Sequence, residues 1–310
     1  DRDVTGVQTC ALPICDVALR DAINQGIHWG PRIFTSGLPV NTLGGAGDSN
    51  FQPPYQGGRQ NHMRAVVCGV DEARQVARFN FKYGADQVKM LATSAVLGSS
   101  DEAGPQELTF EEMKAMVEVA EFRGKISAAH AIGVKGIKAA IKAGVTSIEH
   151  GSFMDGEAAE MMRDRGTYHV PTLIALERIL EHIDDENIPS YAVKKSKDCE
   201  RARIKAFQIS LKKGVKIAFG TDAATPYNKH GEQAYEFELM VKAGMEPADA
   251  IISATKTAAE LLRWNDHLGT LEIGKIADII STKENPLDDI SALKRVSFVM
   301  KDGVVYKKIF

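Results

Sequence analysis

From Asp16 onward the apolar positions follow two alternating spacings. Stretches with apolar residues three and four apart predict amphipathic helices, and each of six such stretches closes on a glycine. The first carries Val17, Leu19, Ala22 and Ile23 and stops at Gly26. The others are 71–83 before Gly84, 109–123 before Gly124, 134–143 before Gly144, 157–165 before Gly166 and 194–213 before Gly214. Thr109 and Glu112 have the spacing of a capping box at the start of the third helix. Short apolar runs follow the glycines at 31–36, 86–90, 126–130, 146–150, 168–172 and 215–222, and are predicted as buried strands. A glycine takes the left-handed conformation that ends a helix at no steric cost, so each unit reads helix, glycine turn, strand. The turns into the strands are short, whereas the connections out of them, at 41–59, 92–108, 173–193 and 223–231, are long.

This asymmetry predicts an α/β fold with a parallel sheet and crossover helices. Closed on itself, it is a (β/α)8 TIM-type barrel with its site at the carboxyl ends of the strands. A doubly wound open sheet is the alternative, but no helical pattern follows the glycine turn Gly44-Gly45-Ala46-Gly47 as a phosphate-binding turn requires. Beyond Asp222 the pattern predicts helices at 232–243, 247–254 and 257–262. Short strands follow at 271–275, 277–281, 296–300 and 304–308, with Lys301-Asp302-Gly303 as a hairpin turn. The expected domains are a non-native or disordered leader at 1–15, a barrel at 16–268 and C-terminal strands of a small β-sandwich at 269–310. Residues 1–15 show neither periodicity nor the layout of a signal peptide.

Composition narrows the function. The 310 residues are 44% hydrophobic and 25% charged with a net charge of −3, which gives no electrostatic basis for binding nucleic acid. No apolar run reaches membrane-spanning length. The four cysteines, Cys10, Cys15, Cys68 and Cys199, lack the spacing of a zinc knuckle or a disulfide scaffold, so a reducing cytoplasm is expected. The expected partner is a small-molecule or short-peptide substrate, with formation of a homo-oligomer left open.

The chemistry-bearing residues stand at strand ends: Lys89, His130, His150 and Asp222. His130 and His150 lie one strand-plus-helix unit apart, so their imidazoles can converge and bind zinc or another divalent transition metal. Asp222 after Gly-Thr is by itself an ordinary turn residue. At the end of a buried strand it suits a metal ligand and a general base that takes the proton of a metal-bound water. Lys89 in an apolar strand either pairs with an acid or reacts as the neutral amine with carbon dioxide, forming a carbamate that bridges two metals. The company of two histidines and an aspartate favours the carbamate. His230 and Tyr227, in the loop after the last strand, are candidate substrate contacts. His169 is expected to pack in the core, and His28, His62, His182 and His267 to lie in loops or on the surface.

Several segments carry a family resemblance: Val88-Lys89-Met90, Ala129-His130-Ala131, Ile148-Glu149-His150-Gly151, Pro171-Thr172-Leu173, Phe219-Gly220-Thr221-Asp222 and the run 268–278. Together they resemble the amidohydrolase superfamily, in the branch of imidazolonepropionase-like enzymes and prolidase-like dipeptidases and carboxypeptidases. The resemblance implies a binuclear centre in the parent enzyme, with carboxylated Lys89 as the bridge. It places His130 and His150 on one metal and Asp222 on the other. The family's first barrel strand carries a His-x-His pair that has no counterpart before Asp16, and six strand units are found where the family has eight. An incomplete barrel lacking the first two strands is therefore expected. Ile132 stands where many members place His or Tyr. The expected reaction is cleavage of an amide or peptide bond in a dipeptide or N-acyl amino acid by metal-activated hydroxide. The alternatives are a lactonase or phosphotriesterase-like hydrolase and, from another class, an inactive fragment lacking the His-x-His strand.

Overall fold

A computed structural model of the protein describes residues 15–48, 65–98 and 102–309. The expected leader, apart from Cys15, and much of the glycine-rich stretch after Asn41 lie outside the described residues. Helix α1 (Cys15–Asn24) is followed by two short parallel strands, β1 (Asn41–Thr42) and β2 (Val66–Val67). Four strands form the central sheet: β3 (Gln87–Leu91), β4 (Ile126–Ala131), β5 (Ser147–His150) and β6 (Tyr168–Val170). All pair in parallel and in sequence order. Single parallel bridges, Val40 to Met90 and His169 to Ile217, extend the sheet at both edges.

The crossovers are helices α2 (Val70–Lys82), α3 (Phe110–Glu121), α4 (Val134–Ala143) and α5 (Gly156–Arg165). They bury Val76, Phe81, Met113, Met116, Ile137, Ile141 and Met162 against Val88, Met90 and Ile148 of the sheet. All six helix-ending glycines adopt positive φ, and Gly144 and Gly166 cap α4 and α5 in the left-handed conformation. Parallel pairing then places every strand's carboxyl end at one edge of the sheet, the geometric basis for a shared site.

Three expectations need correction. Residues 31–36 form no strand: the carbonyl of Thr35 accepts from the Asp86 and Gln87 amides, but ladder pairing with β3 starts only at Val40. Pro31 has no amide proton to donate, and Gly37 at φ 61° turns the chain away. Residues 173–193 are not a loop, because they contain helix α6 (Leu173–Glu181) and the start of α7 (Ser190–Lys213). Residues 271–275 turn at Gly274, φ 95°, instead of forming a strand. The segment 215–222 pairs with β6 on one side, while the Phe219 amide donates to the carbonyl of Ser253 at 3.0 Å.

Helices α8 (Tyr235–Lys242), α9 (Pro247–Ala254) and α10 (Lys256–Leu261) follow, α8 starting a few residues later than its sequence pattern. The chain closes on an antiparallel sheet of β7 (Ile279–Thr282), β8 (Val296–Lys301) and β9 (Val304–Lys308), with Asp302 and Gly303 both left-handed in the hairpin turn. Among the described residues, no helix is long and apolar enough to cross a membrane.

The capping box of α3 forms as expected. Thr109 Oγ1 accepts from the Glu112 amide at 3.2 Å, and Glu112 Oε2 accepts from the Thr109 amide at 2.8 Å. Thr109→Ala is therefore expected to lower unfolding free energy by about 1 kcal/mol in urea titration.

Candidate active site

One cavity of about 220 Å³ opens at the carboxyl ends of the strands, and its walls include Lys89, His130, His150 and Asp222. The register explains how β3 and β4 contribute. Lys89 lies level with Ala128, two positions before His130, so both side chains emerge on the same face of the sheet. His150 lies level with Ala131, on the opposite parity from His130, and a regular strand would turn its ring away. Instead its backbone is left-handed at φ 68°, and its ring meets that of His130 edge-on with centroids 4.7 Å apart. Left-handed backbone recurs at Thr172 (φ 48°) and Asp222 (φ 51°), the ends of the next two strand segments. Non-glycine residues reach this region at a cost, so surrounding contacts must hold them.

Those contacts are visible. Thr172 Oγ1 lies 2.6 Å from His150 Nδ1, and His169 Nε2 lies 3.0 Å from the carbonyl of His150. The other His169 nitrogen meets Ser210 Oγ at 2.9 Å, so this imidazole is a fully used core residue. Buried Asn228 donates its amide to the carbonyls of Thr221 and Asp222 at 2.7 and 3.0 Å. Gly220 permits close packing here, since a Cβ would stand 2.3 Å from Val170 Cγ1.

Burial, with the His150 ring and the Lys89 ammonium adding to it, holds His130 well below its ordinary pKa. Burial and the Lys89 charge likewise bring His150 to about 3. Both rings are therefore neutral near pH 7, the form that binds metals. His130 is 7% exposed, and its Nε2 is buried without a hydrogen-bond partner. An unpaired buried nitrogen costs roughly 1–3 kcal/mol, a penalty that a bound cation would remove. Among the described residues, no three His, Cys, Asp or Glu side chains converge closely enough to share an ion. A donor of another type is therefore required. Lys89 supplies one only as a neutral amine or a carbamate, because an ammonium has no lone pair. On that condition the donor set fits a divalent metal.

The remaining candidates lie apart. Tyr227 and His230 do not line the cavity. Tyr227 donates its hydroxyl to Asp185 at 2.5 Å and stacks on His182, and exposed His230 lies 3.4 Å from Gln233. The far wall is apolar, built from Leu91, Val96, Leu97, Ile132, Leu176 and Ile179 with buried Arg203 beside it. Sequence reasoning passed over Glu149, Thr172, Asn228 and Glu236. Thr172 was legible in principle, as a hydroxyl directly after a strand and a proline. Glu149 lies level with His130, so it shares the interior face. Burial raises its carboxyl pKa while the Lys89 charge draws it down. Glu236 carried no sequence signal, because an acid in a helix's first turn is commonplace.

A parallel sheet gathers histidines, a lysine and an aspartate at its carboxyl edge, and the amidohydrolase family profile matches residues 3–306. The chain belongs to the amidohydrolase family. It is 34% identical over 313 residues to ochratoxinase of Aspergillus niger, covering 94% of this chain and 63% of that protein. It thus spans less than two thirds of that relative's length. Among solved structures, it resembles a Xaa-Pro dipeptidase with bound methionine, with a TM-score of 0.91 and 42% identity, over 95% of this chain and 73% of that one. A prolidase complexed with N-methylphosphonate-L-proline gives a TM-score of 0.86 at 30% identity, over 96% and 74%.

The neutral imidazoles predict acid sensitivity. Burial lowers His169 from 6.5 to about 4, so between these values the unfolded chain binds the extra proton. Stability contributed by neutral His169 is complete above pH 6.5 and is lost as pH falls toward 4, by on the order of 3 kcal/mol. Glu236, pushed up to about 7 by burial, acts in the opposite direction. A chelator-treated His169→Gln chain is therefore compared with wild type, and its unfolding free energy should vary less steeply across this window.

Proposed function

We propose that this chain carries the catalytic site of a metal-dependent amidohydrolase that cleaves an amide or peptide bond in a small substrate, a dipeptide or an N-acyl amino acid. The six parallel segments read as units of a (β/α)8 barrel, and the C-terminal strands as part of a small β-sandwich. The observation that carries the reading is the single cavity shared by Lys89, His130, His150 and Asp222, with His130 Nε2 buried and unpaired. The similarity to a Xaa-Pro dipeptidase supports the bond type, and the cavity of about 220 Å³ supports a small substrate.

In this reading Asp222 and the carbamate of Lys89 would hold one divalent transition metal, and His130, His150 and the same carbamate would hold another, zinc or a similar ion. When bound, they lower the pKa of a water and polarise the substrate carbonyl. Asp222 takes the proton from the attacking water and returns it to the leaving amine. The Asn228 amide, bonded to the Thr221 and Asp222 carbonyls, fixes the backbone from which that carboxylate projects. The bond to Thr172 fixes the His150 ring, and with Nδ1 donating, Nε2 keeps its lone pair for the metal. The wall around Ile132 and Leu176 offers an apolar surface to the substrate side chain. A reducing cytoplasm is the working compartment in this reading.

Asp222→Asn is expected to lower kcat on a hydrolysed dipeptide or N-acyl amino acid by more than about 100-fold while leaving the thermal midpoint near wild type. Near-normal turnover would remove the aspartate from its role. A parallel panel of lactones and phosphotriesters tests the bond type, and faster turnover of either class than of any amide would replace the amide reading.

A further inference from the structure

Helix α6 begins directly after Thr172, the natural residue to cap it, since a threonine hydroxyl ordinarily accepts from the second or third amide of its own helix. Here the Thr172 side chain caps nothing. Its hydroxyl is committed to His150 Nδ1 at 2.6 Å, and its backbone is left-handed. The first amides of α6 are satisfied from another element. Glu236, in the first turn of α8, accepts from the Leu173 amide with Oε1 at 2.9 Å and from the Ile174 amide with Oε2 at 2.6 Å. Glu236 is 0% exposed, and a carboxylate so deep is costly unless hydrogen bonds and opposite charge meet it. The α6 amides and dipole supply the bonds, and buried Arg203, which donates to the Leu173 carbonyl at 2.9 Å, adds charge nearby. Leu239 and Met240 of α8 pack with Leu173 and Ile174, so the two helices share one apolar contact.

We propose that Glu236 is a positioning residue for His150, acting through α6 and Thr172: by capping the helix from outside, it leaves the Thr172 hydroxyl for the imidazole. Without that carboxylate the hydroxyl turns back toward its own helix, and the ring loses its tether. The catalytic meaning of the tether rests on reading His150 as a metal ligand, whereas the tether itself is measurable without metal.

The test is imidazole NMR on the full chain labelled with ¹⁵N-histidine and treated with chelator, His150 being identified by its loss in His150→Asn. Wild type should show a His150 Nδ1–H signal protected from exchange, and Thr172→Val should remove that protection. Glu236→Gln should speed exchange of this proton by on the order of tenfold. The control is Glu112→Gln, which removes a comparable buried cap from α3, outside the cavity lining, and should leave the signal at its wild-type rate. If Glu236→Gln does not fold, Glu236→Asp, which keeps the charge on a shorter stem, is measured with the same expected direction. An unchanged His150 signal in the folded Glu236 variant overturns the proposal, as does an equal change in Glu112→Gln. A wild-type His150 protonated on Nε2 with Nδ1 bonded to Thr172 would contradict the ligand reading alone.

Discussion

The left-handed backbone at His150, Thr172 and Asp222 is the constraint on which the site depends. Regular strands alternate their side chains, and alternation would send His150 to the helix side of the sheet. A positive φ at the last residue of the strand redirects the ring into the cavity, but a non-glycine residue holds that conformation only under restraint. The restraints are specific hydrogen bonds: Thr172 on the ring of His150, His169 on its carbonyl, and Asn228 on the carbonyls of Thr221 and Asp222. Each restraining group is itself held by the packing behind it. This edge of the sheet therefore combines left-handed backbone with hydrogen bonds that hold it, an arrangement that suits preorganised chemistry.

Charge follows the same design. Burial is the largest influence on the His130 and His150 imidazoles and lowers the proton affinity of both, with the Lys89 charge a smaller one. Burial thus keeps the imidazoles as lone-pair donors, and one of them, His130, ends on a nitrogen with no protein partner. Of the buried side-chain atoms without a hydrogen-bond partner among the described residues, it is the one imidazole nitrogen, the type of atom that binds a metal through its lone pair. Family membership and this local electrostatics point to the same chemistry by independent routes.

The central sheet was legible because its signals are local: helix-ending glycines, a capping box and short apolar runs of strand length. That Lys89, His130, His150 and Asp222 share one cavity was legible for the same reason, since each lies in or at the end of such a run. What escaped sequence reading was set by tertiary contact. Helix α6 was taken for loop because the acid that caps it, Glu236, lies in another helix and leaves no pattern beside Thr172. Residues 31–36 have strand composition, but a proline and a left-handed glycine keep them off the ladder. Residues 271–275 alternate like a strand, yet Gly274 turns them. Tyr227 and His230 were placed near substrate from loop position alone, and their side chains bond to Asp185 and approach Gln233 away from the cavity wall.

The account stands on His130, His150 and Lys89 forming one metal site, with Asp222 beside it in the same cavity. Its most direct measurement is calorimetric titration of the chelator-stripped chain with zinc, wild type beside His130→Asn. The account predicts saturable binding near one ion per chain in wild type, weakened by more than about tenfold when His130 is replaced. Failure of the wild type to bind zinc, or binding that His130→Asn leaves unchanged, would contradict it.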